Sequence, residues 1–149
     1  MTGRGGFAGP VTAAAQWRLN CSRVRGLGPR LTPAVAEQFT PVERAYSGAR
    51  RGLEGFAGRL AAKQAVAQVL GVPPDDHGLL RKIQIIPRPR HKCRNPALCQ
   101  RGHPPAVVLE PGSNLGDSGS LLWIDVSVSH EREHAFAAAL AVFAVPPEG

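Results

Sequence analysis

The sequence is poor in the features that stabilise secreted domains and membrane proteins. It has three cysteines, Cys21, Cys93 and Cys99, an odd number that does not make a disulfide framework and indicates reduced thiols. No apolar run approaches the roughly 18 residues that a membrane span requires. The Gly-rich stretch 1–10 also lacks the apolar core of a signal peptide. We therefore expect a cytoplasmic protein in which residues 1–12 form a flexible tail.

Acidic residues are also scarce, and their distribution is uneven. Lys and Arg number 18 against 11 Asp and Glu, which gives a net charge of +7. Such an excess favours acidic partners. The segment 77–109 contains no Asp, Glu, Phe, Trp or Tyr, whereas nucleic-acid-binding modules interleave aromatic side chains with the cations. We therefore expect phosphates or an acidic protein as partner, with a solvated basic loop as the alternative. The cations of this segment are Arg81, Lys82, Arg88, Arg90, Lys92, Arg94 and Arg101.

The length of 149 residues and the 43% of hydrophobic residues fit a single domain with one core. We expect that domain over 13–146, with a basic loop insertion at 87–105 that has no periodicity and is therefore functional or disordered. Its Cys and His residues could bind zinc, but their spacing is not a standard finger pattern. They are His91, Cys93, Cys99 and His103.

Two helices are predicted near the middle of the chain. Thr40 precedes Pro41, and Glu43 follows three residues after Thr40, which is typical of a capping box at the start of a helix over 41–47. Apolar residues at helical spacing predict a longer helix over 51–70. Gly71 occupies the position of a C-terminal cap.

The second half of the chain has the period of β-strands. Segments 82–87 and 106–110 are rich in β-branched residues. In 122–129 aliphatic residues alternate with Trp123, Asp125, Ser127 and Ser129, which predicts a half-buried strand. A polar turn at 131–134 precedes an Ala-rich segment, 135–145. That last segment fits a helix by propensity and a hairpin strand by the spacing of its larger side chains, and the pattern leaves both open.

Three motifs resemble those of a known family. Segment 39–46 (FTPVERAY) is similar to the "FTxxERxY" stretch of the holo-acyl-carrier-protein synthases. Segment 53–71 (LEGFAGRLAAKQAVAQVLG) is similar to the family's "ExxAxR[FW]AAKEA…KALG" helix. Segment 126–130 (VSVSH) resembles the "VS[IL]SH" motif. Because the three occur in the same order and at similar spacing, the chain resembles the 4′-phosphopantetheinyl transferase superfamily.

The resemblance implies a fold and a reaction. The implied fold is α+β, with a long helix packed on a small antiparallel sheet, in a homotrimer whose active sites lie between subunits. The family transfers phosphopantetheine from coenzyme A to a serine of an acyl carrier protein. A divalent cation, usually magnesium, binds the pyrophosphate of the coenzyme.

The chain departs from the family at the residues that bind the cation. The family's carboxylates come from a "G[IV]D" strand and from the Glu of "KEA", and a Lys one turn after that Glu assists. Here the strand motif aligns with 18–20 (RLN), which places Asn20 on the Asp, while Gln64 replaces the Glu and Gln68 replaces the Lys. An amide oxygen carries no net charge and Mg²⁺ gives up its water reluctantly. We therefore predict no metal site.

Other family positions persist, and from them we predict a repurposed protein of a bacterial biosynthetic pathway. It would act without cofactor on a small-molecule or carrier-tethered intermediate, by acid–base chemistry such as cyclisation or dehydration in the former coenzyme A cleft. The alternatives are a non-catalytic acyl-carrier-protein partner and an active synthase that uses coenzyme A with magnesium. The candidate catalytic residues are His130, Glu54, Lys63 and Gln64, and the candidate ligand-binding residues are Asn20, Arg59, Gln68, Arg81 and Lys82.

Overall fold

The computed structural model describes residues 10–20, 36–50, 53–87, 105–115, 120–131 and 133–144. These residues form five strands and three helices. In chain order they are β1 (Val11–Asn20), α1 (Pro41–Arg50), α2 (Leu53–Val69), α3 (His77–Leu80), β2 (Ile83–Pro87), β3 (Pro105–Leu109), β4 (Leu121–His130) and β5 (His134–Phe143).

The strands form two antiparallel sheets. One has the order β1-β5-β4 and the other pairs β2 with β3. Helix α2 packs against all three strands of the first sheet and also against β2. The predicted mixed α+β class with small antiparallel sheets is therefore confirmed. Most of the predicted basic loop, 88–104, and the predicted tail up to residue 9 lie outside the described residues. In the described part of the chain, no helix combines the length and apolar character needed to cross a membrane.

The Ala-rich segment that the sequence left open is strand β5, and it is the central strand of its sheet. It pairs antiparallel with β4 on one side and with β1 on the other, so that Ala137 lies opposite both Trp17 and Val128. Alanine favours helix intrinsically, but such a preference is weak and is overridden by tertiary context. Pairing on both sides hydrogen-bonds the backbone of this strand through two ladders.

Small side chains line the contact between α2 and the three-stranded sheet. Buried alanines occur on both sides, and Gly58 lies so close that a Cβ there would be 3.3 Å from Cγ1 of Val128. Side chains alternate across a strand, so the larger residues of β5, Phe136 and Leu140, lie on the opposite face, 38% and 40% exposed. The buried alanines are Ala57, Ala61 and Ala65 of α2 and Ala135, Ala137, Ala139 and Ala141 of β5.

The start of α1 and the end of α2 agree with the sequence, whereas α1 continues to Arg50, three residues beyond its predicted end. Thr40 Oγ1 accepts a hydrogen bond from the Glu43 N–H at 3.2 Å, and Glu43 Oε1 accepts one from the Thr40 N–H at 3.0 Å, which confirms the capping box. After α2, Gly71 has φ of 73°, and the N–H of Val72 donates to the carbonyl of Ala67 at 2.8 Å. This is the hydrogen bonding of a glycine C-cap.

Candidate functional site

Lys63 and Glu43 form a fully buried ion pair between the two longer helices. Lys63 Nζ lies 2.6 Å from Glu43 Oε1, and both side chains are 0% exposed. Lys63 Nζ also donates to the carbonyl of Ile83 at 2.7 Å, and Glu43 Oε2 accepts from the N–H of Ile85 at 3.1 Å. The pair therefore ties α1 and α2 to strand β2.

The surroundings of Lys63 act on its charge in opposite directions. Burial lowers the pKa of Lys63, the Coulombic attraction and hydrogen bond of Glu43 raise it, and the charge of Arg81 lowers it, with a net result below the ordinary lysine value. The ammonium also lies 5.4 Å from the ring centroid of Phe39, within the range of a cation–π contact. The carboxylate and the ring compensate part of the cost of burying this charge.

Arg59 continues the same interaction one helical turn earlier. Its Nε donates to the carbonyl of Ile85 at 2.8 Å, while Lys63 binds the carbonyl of Ile83. Four residues of helix rise about 6 Å and two residues of strand about 6.6 Å, so the two side chains match alternate carbonyls of β2. The structure therefore brings together Arg59 and Lys63, which the sequence predicted as site residues, with Glu43, which the sequence indicated only as a cap.

Gln64 is turned toward the loop that follows α2. Its side chain is 8% exposed, and its Nε2 donates to the carbonyl of Pro74 at 3.2 Å. Its Oε1 is buried and has no hydrogen-bond partner among the described residues. A glutamate at this position could not donate to Pro74, so the amide makes a contact that the family's carboxylate cannot make.

The remaining predicted residues of the helical side lie nearer the surface. Gln68 and Arg81 are exposed, and Lys82 is half-buried. Arg81 follows the short helix α3, whose N-cap Asp76 accepts from the Leu79 N–H at 3.0 Å. The side chain of Glu54, in the first turn of α2, lies outside the described residues.

Asn20 lies on the three-stranded sheet, close to Arg18 and His134. The sequence did not indicate these two as site residues. Asn20 ends β1 opposite His134, the first residue of β5. A cavity of about 260 Å³ is lined by Trp17, Arg18, Leu19, Asn20 and His134. Arg18 Nη2 lies 3.2 Å from His134 Nε2. His130 is at the end of β4, where it pairs with Ala135. Its side chain is not among those that the structure describes.

The donor set does not fit a magnesium ion. At the three family positions the chain offers the neutral amides of Asn20, Gln64 and Gln68, and the nitrogen of Gln64 is committed to Pro74. Among the residues that the structure describes, no three His, Cys, Asp or Glu side chains are grouped so that they could hold an ion. Mg²⁺ in proteins is bound chiefly through carboxylates and phosphates, and none of the three amides supplies such a charge.

Of three comparisons with known proteins, the one with solved structures found matches. No family model and no curated protein matches the sequence. An acyl carrier protein synthase in complex with coenzyme A from Chronobacterium ammoniagenes is 19% identical, with TM-score 0.67, over 89% of this chain and 98% of that chain. The holo-acyl-carrier-protein synthase of Bacillus anthracis, also in complex with coenzyme A, is 19% identical, with TM-score 0.64, over 90% and 98%.

A third structural match is a synthase from Helicobacter pylori. The Helicobacter pylori holo-acyl-carrier-protein synthase in complex with coenzyme A is 18% identical, with TM-score 0.63, over 87% of this chain and 99% of that chain. The alignments cover nearly the whole of each synthase, so the similarity is not confined to one motif. The chain therefore has the fold of the holo-acyl-carrier-protein synthases, and the resemblance to the 4′-phosphopantetheinyl transferase superfamily predicted from its sequence is confirmed at the level of the fold.

Proposed function

We propose that this chain is a repurposed phosphopantetheinyl-transferase-like protein that acts without a metal ion in a cytoplasmic biosynthetic pathway. Its ligand is a small-molecule or carrier-tethered intermediate, held in the region that corresponds to the coenzyme A cleft of the synthases. The reaction class is acid–base chemistry, such as cyclisation or dehydration. The fold supports the scaffold part of this proposal, and the site residues support the absence of metal chemistry.

The observation that carries the proposal is the contact of Gln64. Its amide N–H bonds the carbonyl of Pro74 at 3.2 Å, so the substituted residue has a structural contact of its own. Together with Asn20 and Gln68 it replaces the charged groups of the family's metal site with neutral amides. Phosphoryl chemistry of the family type depends on a cation to offset charge between the phosphates.

The residues divide into three roles in this proposal: proton transfer, positioning and ligand contact. His130 and Glu54 are the candidate proton-transfer groups, since imidazole and carboxylate side chains are common general acids and bases. Lys63 and Arg59 are positioning residues, because the contacts described for them hold the carbonyls of β2. Gln64, a candidate catalytic residue from the sequence, has its oxygen buried without a partner among the described residues, and Asn20, Gln68, Arg81 and Lys82 are candidate ligand contacts.

The first experiment tests for the ancestral reaction. Apo acyl carrier protein, coenzyme A and Mg²⁺ are incubated with the protein, and the carrier is weighed by intact mass spectrometry, with a holo-acyl-carrier-protein synthase as positive control. We expect the carrier mass to stay unchanged. A gain of the phosphopantetheine mass would overturn the proposal and establish the active synthase.

The second experiment tests for metal-free turnover. Candidate pathway intermediates are incubated with the protein in EDTA and followed by liquid chromatography and mass spectrometry. We expect product with the wild type and at least a hundredfold slower formation with His130→Ala, the scale of general acid–base catalysis. No binding and no turnover of any intermediate counts against the proposal.

The non-catalytic alternative is a carrier-protein partner, and the acid-free segment 77–109 favours it. Within that segment Arg81 is exposed and could meet an acidic helix of a carrier. Electrostatic docking of this kind weakens as salt increases. Co-elution with a carrier at low salt that is lost at high salt, without turnover of any intermediate, is the result expected for this alternative.

A further inference from the structure

Arg18 occupies a position where the family's strand motif has a residue without a side chain. In the alignment of 18–20 with "G[IV]D", Arg18 stands on the glycine and Asn20 on the acid. The chain has therefore lost a negative charge at one position of β1 and gained a positive charge two residues earlier. Both side chains lie on the same face of the strand, because successive residues alternate.

The guanidinium of Arg18 is held by two neighbours on strand β5. Its Nη2 lies 3.2 Å from Nε2 of His134, and its Cζ lies 5.7 Å from the ring centroid of Phe136. Phe136 is the residue directly opposite Arg18 in the β1–β5 ladder. A guanidinium that rests on an aromatic ring and bonds an imidazole is restricted in its rotamers, so it loses less entropy when a ligand binds.

The hydrogen bond between Arg18 and His134 assigns which ring nitrogen of His134 is the acceptor. An arginine side chain has donors alone, so His134 Nε2 accepts and the ring carries its hydrogen on Nδ1. That nitrogen lies 3.8 Å from Oε1 of Glu131, whose side chain is 68% exposed. Arg18 has five N–H donors, and the one on His134 leaves others for a ligand.

Arg18 borders two neighbouring cavities, in which we place the ligand. Arg18 lines the cavity of about 260 Å³, together with Asn20 and His134. It also lines a neighbouring cavity of about 540 Å³. The larger one combines hydroxyl, amide and apolar groups, and among the described residues that line it Arg18 alone is charged. Its other lining residues are Gln16, Trp17, Ser127, Ser129, Phe136, Ala137 and Ala138.

We infer that Arg18, positioned by His134 and Phe136, is an anion-binding site, in which a phosphate or carboxylate group of the ligand is held at Arg18 while its uncharged part lies along the larger cavity. The guanidinium supplies positive charge where the family relies on its dication. This inference rests on the proposed function, because it names the kind of group that the metal-free site recognises. Charge-assisted bonds from a guanidinium to such oxyanions are among the stronger hydrogen bonds of proteins.

The test is a binding titration that needs no turnover. Isotope-labelled full-length protein in EDTA at low ionic strength is titrated with inorganic diphosphate and, separately, with succinate, and the ring resonances of His134 and Phe136 are followed by NMR. We expect saturable shifts of both rings with at least one of the two anions. Shifts with diphosphate alone identify a phosphate group as the ligand's anion, and shifts with succinate alone identify a carboxylate.

Variants separate this site from general attraction to a basic protein. Arg18→Gln is expected to weaken binding by about fivefold or more, and Arg18→Lys by less, since it keeps the charge but loses the planar fork. Arg44→Gln removes one exposed positive charge from α1 and is the matched control, with affinity unchanged.

Two outcomes overturn the inference: neither anion shifts the rings, or Arg18→Gln and Arg44→Gln bind as tightly as each other. These outcomes differ from failure of the proposed function, which would show as magnesium-dependent transfer to a carrier or as no turnover of any intermediate. The NMR titration and the turnover assay therefore report the two failures separately.

Discussion

At the scale of single residues, Lys63 shows how tertiary contacts change the meaning of a sequence motif. The motif alone presented Lys63 as a candidate catalytic group, whereas its ammonium is enclosed by Glu43, Phe39 and the carbonyl of Ile83. Removing one partner of a buried pair leaves an uncompensated charge in a medium that solvates it poorly, which costs more than the pair itself contributes.

We expect Lys63→Met to destabilise the fold by about 3 kcal/mol or more, because it leaves the Glu43 carboxylate buried without its cation. The measurement is the free energy of unfolding from urea denaturation at pH 7. Glu43→Gln combined with Lys63→Met is the control, and it should be more stable than Lys63→Met alone because it removes the orphaned charge. A double variant less stable than the single one would contradict this account of the pair.

The lowered pKa of Lys63 predicts a pH dependence with a definite sign. Since burial lowers the pKa below the ordinary value of 10.5, the unfolded chain holds the Lys63 proton at alkaline pH values where the folded chain releases it. The free energy of unfolding therefore gains a component that rises with pH toward 10.5 and is lost as the pH falls through the folded pKa. The difference between wild type and Lys63→Met, measured from pH 7 to pH 10, should increase with pH.

The variant Gln64→Glu places a carboxylate at the family's acidic position and tests the contact of Gln64 with Pro74. We expect Gln64→Glu to lower the free energy of unfolding by about 1–3 kcal/mol, since the carboxylate cannot donate to Pro74 and is itself buried. Gln68→Glu, at an exposed position of the same helix, is the control and should stay within about 0.5 kcal/mol of wild type. A Gln64→Glu variant as stable as the wild type would contradict the stabilising role that we give to the contact with Pro74.

At the scale of elements, the helix boundaries follow from local chemistry. The capping box of α1 and the glycine cap of α2 depend on residues within a few positions of each terminus, so both were predictable from the sequence. Strands β2 and β3 also begin and end within a residue of their predicted limits. The paired state of β5 was not predictable, because alanine-rich sequence suits either structure and the choice depends on β1 and β4.

The cap of α1 gives a prediction at this scale. Thr40→Ala removes the acceptor for the Glu43 N–H and should destabilise the protein by about 1 kcal/mol. Thr40→Ser keeps the hydroxyl and should retain most of that stability. Both values come from urea denaturation, and equal losses in the two variants would show that the methyl group, rather than the hydroxyl, stabilises the position.

At the scale of the whole molecule, the outer face of the three-stranded sheet is the surface that we propose for assembly. At the part of this face farther from Arg18, Leu140 of β5 is 40% exposed and Trp123 of β4 is 47% exposed. Apolar groups next to one another on a sheet face are typical of an interaction surface. Copies of this chain, in the homotrimer expected from the sequence motifs, are the occupants that we propose for this part of the face.

The trimer is tested by light scattering coupled to size-exclusion chromatography. We expect a mass three times the 15.8 kDa of one chain, and a shift to monomer in Leu140→Glu because a carboxylate is costly to bury in an interface. Val108→Glu is the control, since Val108 of β3 is 40% exposed but belongs to the other sheet. A monomeric wild type, or a trimeric Leu140→Glu, would contradict the proposed surface.

The sequence by itself determined the scaffold: the caps, the long helix pattern, the short strands and the three motifs depend on neighbours along the chain, and together they predicted the fold. Only the tertiary structure decided which residues distant in sequence come into contact within this scaffold. Glu43 meets Lys63, Gln64 meets Pro74, and Arg18 meets His134 across 116 positions of sequence. Hydrogen bonds and ion pairs act over a few ångströms of space, so distant residues acquire a shared function when the sheet and helix bring them into contact.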